Sequence, residues 1–263
     1  MRLNLTAINK MKQDGDRITM LTCYDASFAA VLDAAGVDTL LIGDSLGMVL
    51  QGHDSTLGVT LTDVAYHTAC VARGAKRAWI IADMPFGTFQ VSPEEAFRHA
   101  VPLMAAGAQM VKIEGGETMV ETIHFLTSRG IPVCGHLGLT PQSVNTLGGF
   151  RVQGKSEADA QRLVAEAKMV QKAGASMLVL ELMPSAVGRA VTAELSIPTI
   201  GIGAGPDCSG QVLVLHDMLD IYPGKKARFV KNYLAGAGSV KAAVENYVRE
   251  VKGGQFPAAE HCY

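Results

Sequence analysis

The stretch DAAGVDTLLIGD at 33–44 contains a glycine, a short turn, an apolar run and a terminal acid. The same order recurs in ARGAKRAWIIAD at 72–83, AAGAQMVKIE at 105–114 and KAGASMLVLE at 172–181. Glycine commonly ends a helix, and a short apolar run is typical of a buried strand. We interpret each copy as the end of a helix followed by a strand whose last residue is a carboxylate.

Apolar runs of strand length occur seven times, with helical segments between them. They are ITMLTCYD (18–25), TLLIGD (39–44), WIIADMPF (79–86), MVKIEGG (110–116), PVCGHLGL (132–139), MLVLELMP (177–184) and PTIGIGAG (198–205). Such alternation predicts a parallel sheet, because parallel strands need crossover connections. The segment QVLVLHD (211–217) is either the eighth strand or part of a short helix. The sequence therefore predicts an α/β fold of the (βα)8 TIM-barrel class.

The chain is predicted to form one domain over residues 1–263, with an N-terminal segment that caps the barrel and extra C-terminal helices. Barrels of this class reach 263 residues undivided, and no low-complexity linker interrupts the sequence. Ser92, Pro93 and Glu95 are typical of a helix start. The segment Ser239–Val251 has the pattern of an amphipathic helix.

Charge and cysteine content exclude several classes of function. Lys and Arg number 23 and Asp and Glu 25, so a net charge of −2 gives no strong field to attract nucleic acid or an anionic membrane. The five cysteines form no C-x-x-C pair, and the sequence has neither an apolar leader nor a membrane-spanning run. We expect a cytoplasmic protein that has reduced thiols and acts on small molecules.

The four repeats end in Asp44, Asp83, Glu114 and Glu181. In a closed barrel all strands point the same way, so these carboxylates converge on the rim where barrel enzymes have their active sites. Crowded carboxylates repel one another unless they share a proton or a cation, which predicts a metal or proton-transfer site. Oxygen ligands without Cys or His pairs favour Mg²⁺. The alternative for the two aspartates is that each caps a following helix.

Three further side chains are candidates at the same rim. Lys112 lies two residues before Glu114, so both point into the barrel, where the lysine either pairs with Glu114 or contacts an anionic substrate. Glu181 has apolar neighbours, which raise the pKa of a carboxyl group toward the range of a general base. The alternative is a strand-end carboxylate that simply faces water. His136 in CGHLG is a secondary candidate, since a lone histidine more often has a structural role.

Several long motifs occur in a fixed order: GDSLGMVLQGHDSTL, ADMPF, VKIEGGE, CGHLGLTPQSVN, GGFRVQG, LVLELMP and IGIGAG. Along its whole length the chain resembles the ketopantoate (3-methyl-2-oxobutanoate) hydroxymethyltransferase family. The resemblance implies transfer of a hydroxymethyl group from 5,10-methylenetetrahydrofolate to 3-methyl-2-oxobutanoate (2-oxoisovalerate). The products are ketopantoate and tetrahydrofolate, in the first step of pantothenate biosynthesis. It also implies a homodecamer of two stacked pentamers.

The resemblance further implies one Mg²⁺ per subunit. It makes Asp44 and Asp83 metal ligands that also contact the substrate, and Glu114 completes the metal site directly or through water.

The same resemblance implies the residues that handle the 2-oxo acid. Ser45 and Lys112 bind it, His136 lies near it, and Glu181 is the proton acceptor.

Two alternatives compete with this interpretation. One is another Mg²⁺-dependent lyase or mutase of the phosphoenolpyruvate mutase and isocitrate lyase group, although the K-K-C-G-H segment is absent because Ile131, Pro132 and Val133 precede CGH. The other is a barrel without catalytic activity that serves as a scaffold. We also predict that the run through Gly47, Gly52 and His53 is a flexible loop that closes over the substrate.

Overall fold

The structure is a computed structural model and describes residues 2–263. Within these residues eight strands form a closed barrel in which each strand pairs in parallel with its neighbours in sequence, and β8 pairs with β1. The strands are β1 (Ile18–Thr22), β2 (Thr39–Ile42), β3 (Trp79–Asp83), β4 (Met110–Glu114), β5 (Val133–Gly138), β6 (Met177–Glu181), β7 (Thr199–Ile202) and β8 (Gly210–Leu213). The predicted barrel class is confirmed, as are all seven strands predicted from the apolar runs.

The helices alternate with the strands along most of the chain. They are α1 (Leu5–Asp14), α2 (Ala26–Ala34), α3 (Leu46–Val49), α4 (Leu61–Gly74), α5 (Pro93–Ala105), α6 (Val120–Thr127), α7 (Val144–Leu147), α8 (Glu157–Lys172), α9 (Ser185–Glu194), α10 (Leu215–Met218) and α11 (Val240–Lys252). Short 3₁₀ turns lie at Thr56–Gly58, Glu117–Met119, Pro141–Ser143 and Ala259–His261. None of the helices in residues 2–263 combines the length and apolar character needed to cross a membrane.

Side chains along each strand alternate between the barrel interior and the surrounding layer of helices. The interior is filled by Ile18, Met20, Leu41, Trp79, Ile81, Met110, Cys134, Met177, Val179, Ile200, Ile202 and Val212. Residues between these in sequence, such as Leu40, Ile80 and Val111, pack against the helices. On β4 the same alternation directs Lys112 and Glu114 inward, above Met110. Apolar side chains thus fill the lower barrel, and polar ones occupy its carboxyl end.

Helix α1 closes the amino end of the barrel, as the predicted capping segment. Ile8 is fully buried and packs with the interior cluster. Lys12 Nζ donates hydrogen bonds to the carbonyl oxygens of Leu195 and Ile197, at 2.6 and 2.7 Å, just before β7 begins. The Leu3 amide donates to the Arg77 carbonyl at 2.7 Å, just before β3. These contacts place α1 at the end opposite the predicted rim.

The QVLVLHD segment is divided between a strand and a helix, since Gly210–Leu213 forms β8 and Leu215–Met218 forms α10. The connection from β7 to β8, residues 203–209, contains no helix. It turns sharply because Gly203 and Gly205 have positive φ angles of 63° and 87°, which glycine adopts at no steric cost.

The predicted extra C-terminal helices reduce to one long helix, α11, which begins after its N-cap Ser239, ends at Lys252 and takes the place of the eighth helix of the barrel. The hydroxyl of Tyr247 lies within hydrogen-bonding distance of the Met20 and Gln211 carbonyl oxygens, at 3.0 and 2.8 Å. Helix α11 therefore covers the junction of β8 and β1. The predicted start of α5 is also confirmed, since Ser92 accepts a hydrogen bond from the Glu95 amide and Pro93 is the first helical residue.

The prediction of a flexible loop directly after Asp44 was wrong for its first part. Leu46–Val49 form the single turn α3, and Gly47 is buried. A Cβ atom on Gly47 would lie 2.6 Å from Val59, so glycine serves close packing there and is not a hinge. Only the part around Gly52 and His53 is exposed, and its closure over a ligand stays a prediction.

Candidate active site

Five neighbouring strands, β2 to β6, place the predicted polar side chains at the carboxyl end of the barrel. The register of the sheet pairs Asp83 of β3 with Lys112 of β4, and Glu114 with His136 of β5. Glu181, at the end of β6, pairs with Gly138. A Cβ on Gly138 would lie 2.1 Å from the Glu181 carbonyl oxygen, and its φ is +94°, so this close approach requires glycine.

Lys112 is buried and lies between several charged groups. Its Nζ is 3.1 Å from Asp83 Oδ1, 3.8 Å from Glu114 Oε1 and 3.2 Å from His136 Nδ1. Burial lowers the pKa of Lys112, but the nearby carboxylates outweigh burial and raise it above its ordinary value. The ammonium group therefore stays charged. The nearest carboxylate to Lys112 is that of Asp83. The ion pair between Lys112 and Glu114, which the sequence suggested, is therefore only one of its contacts.

His136 links two acids. Its Nδ1 lies 3.2 Å from Glu114 Oε1 and its Nε2 lies 3.2 Å from Glu181 Oε2. Burial and the charge of Lys112 lower the pKa of His136, whereas Glu114 and Glu181 raise it, with a net increase to about 9. A protonated imidazole is attracted to both carboxylates at these distances, although its Nε2 lacks the alignment of a hydrogen bond with Glu181. The residue chosen as a secondary candidate is thus central to the cluster.

Asp44 and Asp83 are both buried and lie close to each other. Asp83 Oδ2 accepts a hydrogen bond of 3.0 Å from the Asp44 amide. The pKa of Asp44 is raised well above its ordinary value by burial and then by the charges of Asp83 and Glu114. Burial also raises the pKa of Asp83, and Lys112 partly offsets it. Neither carboxylate caps the helix that follows, since α3 has no side-chain cap and Ser92 caps α5.

Gln142 is a site residue that the sequence did not reveal. Its Nε2 donates to Asp44 Oδ2 at 2.9 Å and to the Met84 carbonyl at 3.0 Å. Its backbone amide donates to Glu114 Oε2 at 3.0 Å. Gln142 therefore fixes two of the acids from the turn after β5. It lies in the motif CGHLGLTPQSVN, but a single glutamine after a proline has no periodicity that would distinguish it.

Ser45 follows Asp44 and points toward Tyr24. The two hydroxyl oxygens are 2.8 Å apart, and Tyr24 is almost fully buried. Ser45 lines the same cavity as the acids, so Tyr24 fixes the orientation of its hydroxyl from behind. Tyr24 was also missed, because a tyrosine after an apolar strand is an ordinary core residue.

The cluster opens into a cavity of about 720 Å³. All seven predicted site residues line it: Asp44, Ser45, Asp83, Lys112, Glu114, His136 and Glu181. The structure therefore places all seven predicted side chains in one cavity. A volume of this size is typical of pockets that enclose an organic ligand.

The acids of the cluster are candidate metal ligands but do not form a complete set. Residues 2–263 contain no group of three or more His, Cys, Asp and Glu side chains arranged to hold a metal ion by themselves. Asp83 Oδ1 is buried without a hydrogen bond from the described residues, although Lys112 Nζ lies nearby. Mg²⁺ commonly uses one or two carboxylates and completes its shell with water and substrate oxygens. Asp44 and Asp83 fit such an open site.

Comparison with known proteins identifies the family. The family model described as ketopantoate hydroxymethyltransferase matches residues 2–259. The chain belongs to this family. It is 63% identical to the 3-methyl-2-oxobutanoate hydroxymethyltransferase of Nitrosospira multiformis over 263 residues, which cover all of both chains. It is 62% identical to the enzyme of the same name from Azoarcus sp., over 99% of this chain and 97% of the relative.

Solved structures of other proteins share the architecture of this ketopantoate hydroxymethyltransferase family member. A phosphoenolpyruvate phosphomutase from Streptomyces platensis subsp. rosaceus matches with a TM-score of 0.61 at 13% identity, over 81% of this chain and 82% of that one. A phosphonopyruvate hydrolase in complex with oxalate and Mg²⁺ matches with a TM-score of 0.63 at 14% identity, over 98% and 92%. At these identities the likeness shows the fold alone.

Proposed function

We propose that this ketopantoate hydroxymethyltransferase family member transfers a hydroxymethyl group from 5,10-methylenetetrahydrofolate to 3-methyl-2-oxobutanoate. The observation that carries the proposal is the full-length identity of 60–63% with relatives named 3-methyl-2-oxobutanoate hydroxymethyltransferase. The cluster of acids around a charged lysine in one cavity is consistent with this chemistry, since the reaction needs a base and cations that stabilise an enolate.

Asp44 and Asp83 would hold a divalent cation, and Glu114 would complete the site directly or through water. Burial and the charge of Glu114 raise the pKa values of both aspartates, and Asp83 raises that of Asp44 further; a bound cation would reverse this. Mg²⁺ is our first choice, although carboxylate sites discriminate poorly among Mg²⁺, Mn²⁺ and Co²⁺. When bound, the metal would polarise the keto oxygen of the substrate as a Lewis acid.

The surrounding side chains would bind and orient the 2-oxo acid. Lys112 supplies a positive charge close to the metal ligands, suited to the substrate carboxylate and to the enolate oxygen. Ser45, oriented by Tyr24, supplies a hydroxyl group at the edge of the same site. Gln142 would keep Asp44 in position.

Glu181 would accept the proton from C3 of the substrate. The resulting enolate carbon then forms a bond with the one-carbon unit of the folate, and both carbon–nitrogen bonds that held this unit break in the course of the reaction. Over the whole reaction, water supplies the oxygen of the new hydroxymethyl group and the protons on the two nitrogens of tetrahydrofolate, and the C3 proton ends on the hydroxyl group. His136, whose Nε2 lies 3.2 Å from Glu181 Oε2, would hold this carboxylate in position by charge attraction.

A second candidate is the phosphoenolpyruvate mutase and isocitrate lyase group, whose fold matches. A shared barrel does not determine the reaction, because one fold supports many chemistries. The much higher identity to hydroxymethyltransferases favours the first candidate.

One assay separates the two candidates. We expect the purified protein, incubated with Mg²⁺, 2-oxoisovalerate and methylenetetrahydrofolate, to form ketopantoate detectable by mass spectrometry. Matched incubations contain phosphonopyruvate or oxaloacetate instead. Turnover of either of these without formation of ketopantoate would favour the second candidate and contradict the proposal.

Assembly, location and domain organisation stay predictions. We propose a homo-oligomer, in keeping with the decamer that the resemblance implies, a cytoplasmic location and one domain over residues 1–263. The five cysteines are all free in the structure, which is consistent with a reducing compartment.

A further inference from the structure

The active-site cavity contains a basic surface that the proposed mechanism does not use. Lys225, Lys226 and Arg228 line the same cavity as the acids, and we call these three residues the basic rim. All three lie in residues 219–239, between α10 and α11, where the chain forms neither helix nor strand. Connections longer than about 15 residues without secondary structure are uncommon in compact domains, where they are usually either functional loops or linkers.

The basic rim is only partly neutralised within the protein. Lys226 forms an ion pair with Asp220 and donates to the Tyr222 carbonyl at 2.7 Å. Lys225 is exposed and has no ion-pair partner among residues 2–263. Such a lysine can offer its full charge to a ligand.

Arg228 is held at the edge of the cavity by the C-terminal residues. Its Nε donates to the Glu260 carbonyl at 2.9 Å, and its guanidinium carbon lies 5.7 Å from the centre of the Tyr263 ring. Neither contact neutralises its charge. Asp217 of α10 also lines the cavity; burial raises its pKa, and the charge of nearby Lys226 partly offsets this. Among the described residues the three cations of the rim therefore outnumber this acid.

Aromatic side chains lie next to these cations. Tyr222, Phe229 and Tyr263 line the cavity, and Phe229 and Tyr263 both pack against Gly203 at the end of β7. The cavity thus combines an acidic end suited to a chelated 2-oxo acid with an aromatic and basic end. Its volume of about 720 Å³ exceeds what a small 2-oxo acid needs, and pockets of roughly 300–1,000 Å³ enclose drug-sized ligands.

We propose that the basic rim binds the glutamate carboxylates of the folate co-substrate, with the aromatic residues beside its rings. The inference rests on the proposed function. Folates carry one or more glutamates, and each additional glutamate adds a carboxylate. Lysines on an irregular segment suit a ligand of variable length, because their flexible stems carry point charges that need no fixed geometry.

The test combines a change in the protein with a change in the ligand. Calorimetry on the Mg²⁺-loaded protein measures the affinity for tetrahydropteroate, which has no glutamate, for tetrahydrofolate, which has one, and for tetrahydrofolate triglutamate. The variant is Lys225→Gln with Lys226→Gln. The matched control is Lys10→Gln on α1, at the other end of the barrel, where Lys10 pairs with Asp14.

We expect the wild-type protein and Lys10→Gln to bind the triglutamate most tightly and tetrahydropteroate most weakly. In the double variant the triglutamate affinity should fall about tenfold, since each exposed ion pair contributes a factor of a few. Its affinity for tetrahydropteroate should change less than about twofold by the same reasoning. Raising the salt concentration should weaken wild-type binding of the triglutamate more than that of the double variant.

Two results would contradict the proposal that the basic rim binds the glutamate carboxylates. One is an equal loss for tetrahydropteroate and the triglutamate, which would mean that the lysines only shape the pocket. The other is unchanged triglutamate affinity in the double variant. Failure of the proposed reaction has a different signature: charge-dependent folate binding would persist, but the wild-type protein would form no ketopantoate.

Discussion

Glu181 differs from the other acids of the cluster in its exposure. Its side chain is 15% exposed, whereas those of Asp83, Glu114 and Lys112 are 3–5% exposed. A proton acceptor must reach the substrate, and a ligand-holding carboxylate must stay fixed. The contacts agree with this division, because Glu114 accepts a hydrogen bond from the Gln142 amide and lies beside His136. Within residues 2–263, the carboxylate of Glu181 has one polar side-chain contact, with His136.

Replacing Glu181 tests the assignment of the base. Glu181→Gln keeps the shape of the side chain but cannot accept the C3 proton. We expect exchange of this proton with deuterated water to slow by about 10²- to 10⁴-fold, measured by NMR, with 2-oxoisovalerate still bound in calorimetry. The control Glu194→Gln changes an exposed acid that pairs with Lys168. Wild-type exchange in Glu181→Gln would refute the assignment.

The regular elements of the barrel were predictable because each has a local signal. Strands β1 to β7 are apolar runs, and α5 and α11 start at serine caps. Helix α3 had no such signal, because its single turn is stabilised by packing of Gly47 against Val59, which is a tertiary contact. Strand β8 was ambiguous because it follows β7 without an intervening helix and is followed almost at once by the single turn α10.

Helix α11 holds the segment that contains the basic rim. Glu250 on α11 accepts hydrogen bonds from Lys231 Nζ, at 2.8 and 2.7 Å, and from the Tyr233 hydroxyl at 2.7 Å. Tyr233 packs edge-on against Tyr247 of the same helix. One carboxylate thus connects residues 219–239 to an element that is itself bonded to β1 and β8.

This connection predicts a pH-dependent contribution to stability. Burial raises the pKa of Glu250, but Lys231 and Tyr233 outweigh it and lower the pKa below its ordinary value of 4.5. Because the pKa of Glu250 is lower in the folded protein than in the unfolded chain, its charge stabilises the folded state fully above about pH 4.5. This stabilisation is lost as the pH falls through the pKa of Glu250 in the folded state. At pH 7, Glu250→Gln should lower the free energy of unfolding by about 0.5–1 kcal/mol after allowance for solvent screening.

Urea denaturation of both proteins at several pH values measures this difference. The gap between wild type and Glu250→Gln should narrow below about pH 4.5. Glu245→Gln, which alters an exposed pair with Lys241 on the same helix, is the control. A gap that stays constant with pH would show that the charge of Glu250 contributes nothing.

Over the whole molecule, the sequence predicted the acids of the site better than their supports. A carboxylate at the end of an apolar strand contrasts with its neighbours, and the repeat revealed four of them. Gln142, Tyr24 and the basic rim come from turns and irregular segments, so their places depend on how the closed barrel arranges its loops. Closure of the barrel is what converts separate strand ends into one site.

Acids that are buried and crowded at one end of the barrel lower the free energy of unfolding, because their charged forms are unfavourable there. Asp44 shows this most clearly, because burial, Asp83 and Glu114 all disfavour its charged form. Sites of this kind are tolerated because they serve function, at some expense of stability. A cation that binds only the folded state should recover part of this loss.

Thermal unfolding with and without Mg²⁺ tests this coupling. At 100 times its dissociation constant a ligand adds about 2.7 kcal/mol, which corresponds to an increase in Tm of about 5–10 °C for a chain of this size. Asp44→Asn should abolish the increase in Tm on addition of Mg²⁺. Without metal, the Tm of this variant should equal or exceed that of the wild type. The substitution removes a buried charge that neighbouring acids repel, and the side-chain oxygen of the introduced asparagine can still accept the hydrogen bond from Gln142. Lys10→Gln should respond as the wild type does. An undiminished Mg²⁺ response in Asp44→Asn would refute metal binding by Asp44, and a large loss of metal-free stability would show that its charge is favourable in the folded protein.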